Sequence, residues 1–181
     1  MGGGFGGKAT RSTWVGCAAA IGAKLLDRPC SISFSLRDCI TIMGGRSIYY
    51  VQYKAAFDVT TGICKAVDAT IFADCGCTNN DNGGAGYLFA LHGDGPYQVE
   101  NYRYKFVYVR TARPAVTWLR APGMLQAALV IEAVIDHGIR EFNLDQYQSR
   151  LVNLVKPGFT PLVGVPETTD RASATFETFK Q

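Results

Sequence analysis

The residues best placed to do chemistry stand at the start of the chain, in GGGFGGKATRS at positions 2 to 12. Five of residues 2 to 7 are glycine, the other is Phe5, and Lys8 follows. Glycine lets backbone approach another group closely but costs folding entropy. A glycine run ahead of a helix therefore offers backbone amides to something electron-rich. Gly2, Gly4 and Gly7 satisfy G-x-G-x-x-G, with Asp27 at a suitable distance, but that dinucleotide chemistry needs a strand ahead of the loop and none precedes it here. Gly2, four residues, Gly7 and Lys8 approach the phosphate loop, but Ala9 stands where a Ser or Thr would hold magnesium. A phosphate- or nucleotide-binding domain is kept as an alternative, and so is a plain tight turn.

The six cysteines are Cys17, Cys30, Cys39, Cys64, Cys75 and Cys77. Cys75-Gly76-Cys77 lacks the spacing of a zinc knuckle or an iron–sulfur cluster. The expectation is reduced, mostly buried thiols in a cytoplasmic protein, with no metal held by them. Of the 181 residues, 48% are hydrophobic and 18% charged, so the chain should fold around a sizeable core. A net charge of +3, scattered along the chain, argues against nucleic acid or an anionic membrane as partner. The longest apolar stretch, Trp14 to Leu26, is too short to span a bilayer.

The elements that must position the loop follow from periodicity. Ser12 can cap a helix through WVGCAAAIGAKLL, whose small residues predict unusually close packing against a neighbour, and Asp27-Arg28-Pro29 ends it. CSISFSL (30–36) alternates as a strand, and a short turn or helix leads from it to Gly44-Gly45-Arg46. Residues 47–59 and 63–74 read as a hairpin across Thr60-Thr61-Gly62. Residues 78–87 read as a loop, 88–92 are ambiguous, and 97–112 carry one or two strands. Pro122 opens a helix through GMLQAALVIEAVIDH, with Gly138 as its C-cap. A shorter helix, capped by Asn143, runs over 143–156. The fold class expected is α+β: mixed strands packed with a few helices.

Four stretches together resemble the xanthine dehydrogenase / aldehyde oxidase family, the molybdenum hydroxylases. They are GGGFGGKATRS, RPCSISFSLRDCITIMGGR (28–46), TARPAVTWLRAPGMLQAALVIEAV (111–134) and RLVNLVKPG (150–158). Their order and spacing agree with the family over roughly residues 1 to 158. The resemblance implies a segment of a larger molybdopterin-binding domain over residues 1–158. Residues 159–181 are then a linker or the truncated start of the following segment. It also implies a molybdenum cofactor (molybdopterin) that meets the loop through backbone amides. The amides facing the metal fall on Phe5 and Arg120, with Gly4, Gly6 and Ala121 as their small neighbours.

Substrate choice is implied the same way. Xanthine-oxidising members carry a Glu after the loop lysine, and here it is Ala9. A second polar contact aligns with Leu88. Losing both would leave purine heteroatoms unpaired at a cost of about 1–3 kcal/mol each. Pro122 replaces a Phe that stacks on substrate in xanthine dehydrogenases. Ala9, Leu88 and Pro122 thus point to an aldehyde oxidase-like pocket for aldehydes or aromatic N-heterocycles. The implied reaction is hydroxylation of an electron-poor carbon, with electrons leaving through iron–sulfur clusters to FAD elsewhere in the full-length enzyme. No residue here takes the catalytic role, because the general-base Glu belongs outside this chain, and Glu132 reads as structural. The implied partners are a small-molecule substrate, the remainder of the parent polypeptide and a second copy in a homodimer. The isolated chain is expected to be inactive. A stand-alone, non-catalytic module of the same family is the alternative from another class.

Overall fold

The structure, a computed structural model, describes residues 3–80, 82–164 and 166–178, apart from the Arg171 side chain. Gly2 of the glycine motif lies outside them. The elements in chain order are α1 (Thr13–Leu26), α2 (Leu36–Asp38), a π-helical turn (Cys39–Met43), β1 (Tyr49–Phe57), β2 (Cys64–Gly76), α3 (Asn82–Leu91), β3 (Asn101–Arg110), α4 (Met124–Glu141), α5 (Gln146–Asn153) and α6 (Arg171–Thr178). The strands form one sheet in the order β1-β2-β3. β1 and β2 are antiparallel across the predicted hairpin, where Asp58 takes the Thr60 and Thr61 amides at 2.9 and 3.0 Å and shapes the turn. Along β2 and β3 the partners advance together: Lys65 with Glu100, Asp68 with Arg103, Asp74 with Thr111. That pairing is parallel, as the helix between the two strands permits. The sheet is mixed and the class is α+β.

The chain divides into two compact units. One comprises Tyr49–Phe72, Ala85–Val107 and Gly123–Gln181, and holds the larger core. There α4 buries Ala127, Ile131, Val134, Ile135 and Ile139, a helical stripe. Cys64, Val67, Tyr97, Val99 and Leu154 close around four of these, while Phe89 of α3 packs with Ala69, Ile71 and Ala127. Each such Ile or Val contributes about 1.5–3 kcal/mol by leaving water. Asn153 ties the hairpin to α5. Its amide donates to the Gly62 and Ser149 carbonyls at 2.8 and 2.6 Å, and its carbonyl takes the Cys64 amide at 2.7 Å. Glu132 accepts from the Tyr97 hydroxyl at 2.8 Å and lies 3.6 Å from Arg150, which also pairs with Asp136.

The other unit comprises Met1–Ile48, Ala73–Gly84 and Tyr108–Pro122. Its α1 has no buried residue. The close packing predicted from its small residues is not found among the described residues. A Cβ on Gly16 would meet nothing within 4 Å, and one on Gly22 only the Cys30 sulfur at 3.4 Å.

Several sequence expectations need correction. Residues 30–36 pair with no strand; their end is taken by a capping box in which Ser35 and Asp38 exchange hydrogen bonds to open α2. The predicted loop 78–87 gives way at Asn82 to α3. Pro122 precedes α4, whose N-cap is Gly123. Gly138 lies inside α4, where a Cβ would meet the Phe57 ring at 2.4 Å, so its small size serves packing. Asn143 is a left-handed residue, and the cap of α5 is Asp145, which accepts from the Gln148 amide at 2.7 Å. Only Cys64 and Cys75 are buried, and Cys17, Cys30 and Cys77 are exposed. Residues 159–181, expected to be a linker or the truncated start of the following segment, include α6, whose Phe176 stacks on Tyr147, and neither expectation is overturned by it.

Candidate functional site

The glycine loop folds as consecutive turns. The Lys8 amide donates to the Gly4 carbonyl at 3.1 Å and the Ala9 amide to the Gly6 carbonyl at 2.9 Å. The amides of Phe5, Gly6 and Gly7 lie inside these turns and donate to no acceptor among the described residues. Phe5 has φ 48° and its side chain is 66% exposed. A Cβ on Gly4 would meet nothing within 4 Å, so that face of the backbone is open.

The loop closes against the stretch Trp118–Arg120. A Cβ on Gly6 would stand 2.6 Å from the Trp118 carbonyl oxygen, so glycine is what permits the approach. The Arg120 amide donates to the Phe5 carbonyl at 2.8 Å. Arg120 and Ala121 have φ 32° and 54°, and such left-handed conformations cost a non-glycine residue about 1–3 kcal/mol each. Arg46 offsets this cost. Its Nε donates to the Leu119 carbonyl at 3.1 Å and its Nη2 to the Arg120 carbonyl. Hydrogen bonds from a charged group contribute about 1.5–3 kcal/mol each.

A groove of about 280 Å³ runs along the loop, between Gly3, Gly4, Phe5 and Lys8 on one side and Leu36, Ile40 and Met43 on the other. Among the described residues Lys8 is the one cation lining it, and it also lines a neighbouring groove of about 330 Å³ with Ser12 and Phe34. Among the described residues no cluster of three or more His, Cys, Asp or Glu side chains could hold a metal ion. The polar equipment is thus backbone amides and one ammonium group. That set suits an anionic or electron-rich group bound from one side.

The structure brings Gly4, Phe5, Gly6, Arg120 and Ala121 into one constellation. Ala9 is exposed at the end of the loop, and Pro122 is half-buried beyond the turn. Leu88 is half-buried on α3, in the other compact unit. Arg46 is a functional residue that the sequence marks only as the end of a Gly-Gly-Arg run. An arginine placed after two glycines could have been questioned for two carbonyls to bind, although the sequence holds no sign of which.

Residues 1–154 match the model of the molybdopterin cofactor-binding domain. Among curated proteins, the chain is 32% identical over 156 residues to "Aldehyde oxidase 2" of Rattus norvegicus, an alignment covering 86% of this chain and 12% of that protein. It is 28% identical over 156 residues to "Xanthine dehydrogenase" of Dictyostelium discoideum, covering 86% of this chain and 11% of that protein. Among solved structures, the aldehyde oxidoreductase from Desulfovibrio desulfuricans shares the fold, with a TM-score of 0.84 at 20% identity over 99% of this chain and 20% of that one. The chain therefore spans about one-eighth of the length of the curated relatives it matches.

Proposed function

We propose, from the premise that this chain belongs to the molybdopterin cofactor-binding domain family, that its glycine loop holds the molybdenum cofactor of a larger oxidoreductase acting on aldehydes or aromatic N-heterocycles. The observation that carries this reading is the run of amides at Phe5, Gly6 and Gly7 that donate to no acceptor among the described residues, beside the open face of Gly4. The donor set fits the group, because an electron-rich cofactor needs amides it can approach, and Lys8 adds a positive charge in the same groove. When bound, the cofactor supplies the redox chemistry of hydroxylation.

In this reading the chain binds and orients. The Phe5 amide donates to the cofactor, and Gly4 and Gly6 leave room for it. The Arg120 amide keeps its bond to the Phe5 carbonyl and shares its proton with the cofactor as a bifurcated donor, and Ala121 keeps the turn small. Ala9 and Pro122 supply no polar partner for a purine, which favours apolar substrates. The domain segment is residues 1–158, and 159–181 lead toward the next. The iron–sulfur clusters, FAD, the general-base Glu and the homodimer contacts belong to the rest of the parent polypeptide. The 181 residues alone turn over nothing.

The test is dye reduction by the polypeptide as its gene encodes it, with aldehyde, quinoline-type heterocycle and xanthine as competing substrates. Faster turnover of aldehyde or heterocycle than of xanthine is the expected result. Preference for xanthine would reverse the substrate assignment, and equal activity from residues 1–181 alone would overturn the division of labour.

A further inference from the structure

The run Gly44-Gly45-Arg46 lies along residues 115–120 rung by rung. A Cβ on Gly44 would stand 1.6 Å from the Ala115 carbonyl oxygen, so only glycine fits there. The Gly45 carbonyl accepts from the Thr117 amide at 3.0 Å. Arg46 then reaches the next two carbonyls, Leu119 through Nε at 3.1 Å and Arg120 through Nη2. The same stretch also receives the glycine loop, with the Arg120 amide on the Phe5 carbonyl at 2.8 Å. The turn at Arg120 is thus gripped twice, its carbonyls by Arg46 and its amide by Phe5.

We infer that Arg46 is a positioning residue: its guanidinium fork holds the left-handed turn at Arg120 and Ala121, and through it the carbonyl of Phe5, so that the loop amides keep one direction. The inference rests on the cofactor reading above for its purpose, but not for its geometry. A planar fork with fixed donors can span two successive carbonyls, whereas an ammonium group satisfies them only as a point charge. Without the fork, both carbonyls turn to water and nothing offsets the strain of two consecutive left-handed residues. The Arg120 amide then leaves Phe5, and the loop loses its anchor on this stretch.

The test compares Arg46→Ala and Arg46→Lys with the unsubstituted protein, each expressed as the whole polypeptide its gene encodes. Hydrogen exchange follows the bonded amides within residues 8–9 and 117–120, with residues 127–139 of α4 as the internal reference. In Arg46→Ala both sets should exchange at least about tenfold faster while the reference is unchanged. Arg46→Lys should fall between the two proteins, and guanidinium ion in the buffer should slow exchange in Arg46→Ala. Molybdenum per polypeptide, measured on the same samples, should fall several-fold in Arg46→Ala and less in Arg46→Lys. Unchanged exchange at Lys8, Ala9 and Arg120 overturns the brace. Faster exchange with undiminished molybdenum overturns the positioning role. If Arg46→Ala does not fold, Arg46→Lys decides alone, and exchange equal to the unsubstituted protein overturns the claim. An unsubstituted protein that takes up no molybdenum would sink the cofactor reading, and the exchange comparison would still decide the brace.

Discussion

Gly4 and Gly44 separate two uses of a missing side chain. At Gly44 the space is taken by the Ala115 carbonyl, and φ is 87°, so Gly44→Ala should lower stability by about 2 kcal/mol or more, read as an earlier unfolding midpoint in denaturant. At Gly4 the space is empty, so Gly4→Ala should leave stability within about 0.5 kcal/mol yet lower the molybdenum content several-fold. Full molybdenum in Gly4→Ala would mean that the cofactor does not approach that face. The sequence showed that the loop must let something near, and the resemblance put Phe5 and Arg120 in the roles. What it hid is that part of the approach is internal, because Gly6 meets Trp118, more than a hundred residues away. Arg46 was hidden for the same reason, since its acceptors lie 73 and 74 residues on.

At the level of elements, existence was more legible than limits. The hairpin, β3, α1 and α4 follow from alternation or helical spacing, which burial enforces. Ends and caps follow from local competition. Asn143 and Asp145 both suit a cap, and Asp145 wins with Gln148 three residues on. Asp145→Ala should cost about 1 kcal/mol of stability, seen as a lower Tm. Residues 30–36 alternate like a strand, yet Ser35 and Asp38 bind each other instead. Asn153→Leu should cost more than the Asp145 change, about 2–5 kcal/mol, because it strands the buried Cys64 amide and the Gly62 carbonyl together. Asp94 gives a pH-dependent case. It is buried, and burial raises its carboxyl above the ordinary 3.8 even though it accepts from the Leu162 amide at 3.2 Å. A raised carboxyl favours the folded state most below pH 3.8, and that contribution is lost as pH rises through the folded value. Asp94→Asn should therefore melt higher than the unsubstituted protein at neutral pH, with the gap closing below pH 3.8. A constant gap across that range would show that the carboxylate is not the cause.

At the scale of the whole molecule, the apolar surface is uneven. Trp14, Ile21, Leu25 and Leu26 of α1 are exposed, Leu25 at 80%, as are Leu36, Ile40 and Ile42. Such a concentration is unlike scattered surface leucines and invites association. Residues 1–181 expressed alone should aggregate, and Ile21→Lys with Leu25→Lys should raise the soluble fraction without lowering Tm; a monodisperse, cooperatively melting preparation of the unsubstituted 181 residues would contradict this. No described helix is long and apolar enough to cross a membrane. The family and the α+β class were legible because glycine loops and core stripes leave marks in sequence. The bare α1 was not, because small residues signal close packing whether or not the neighbour is present. Molybdenum and released pterin, measured in the whole encoded polypeptide purified from a host that makes the cofactor, decide whether the glycine loop holds it. Near-stoichiometric metal and pterin, reduced several-fold by Gly4→Ala, is the expected result; a folded protein carrying neither would show that the loop holds no such cofactor.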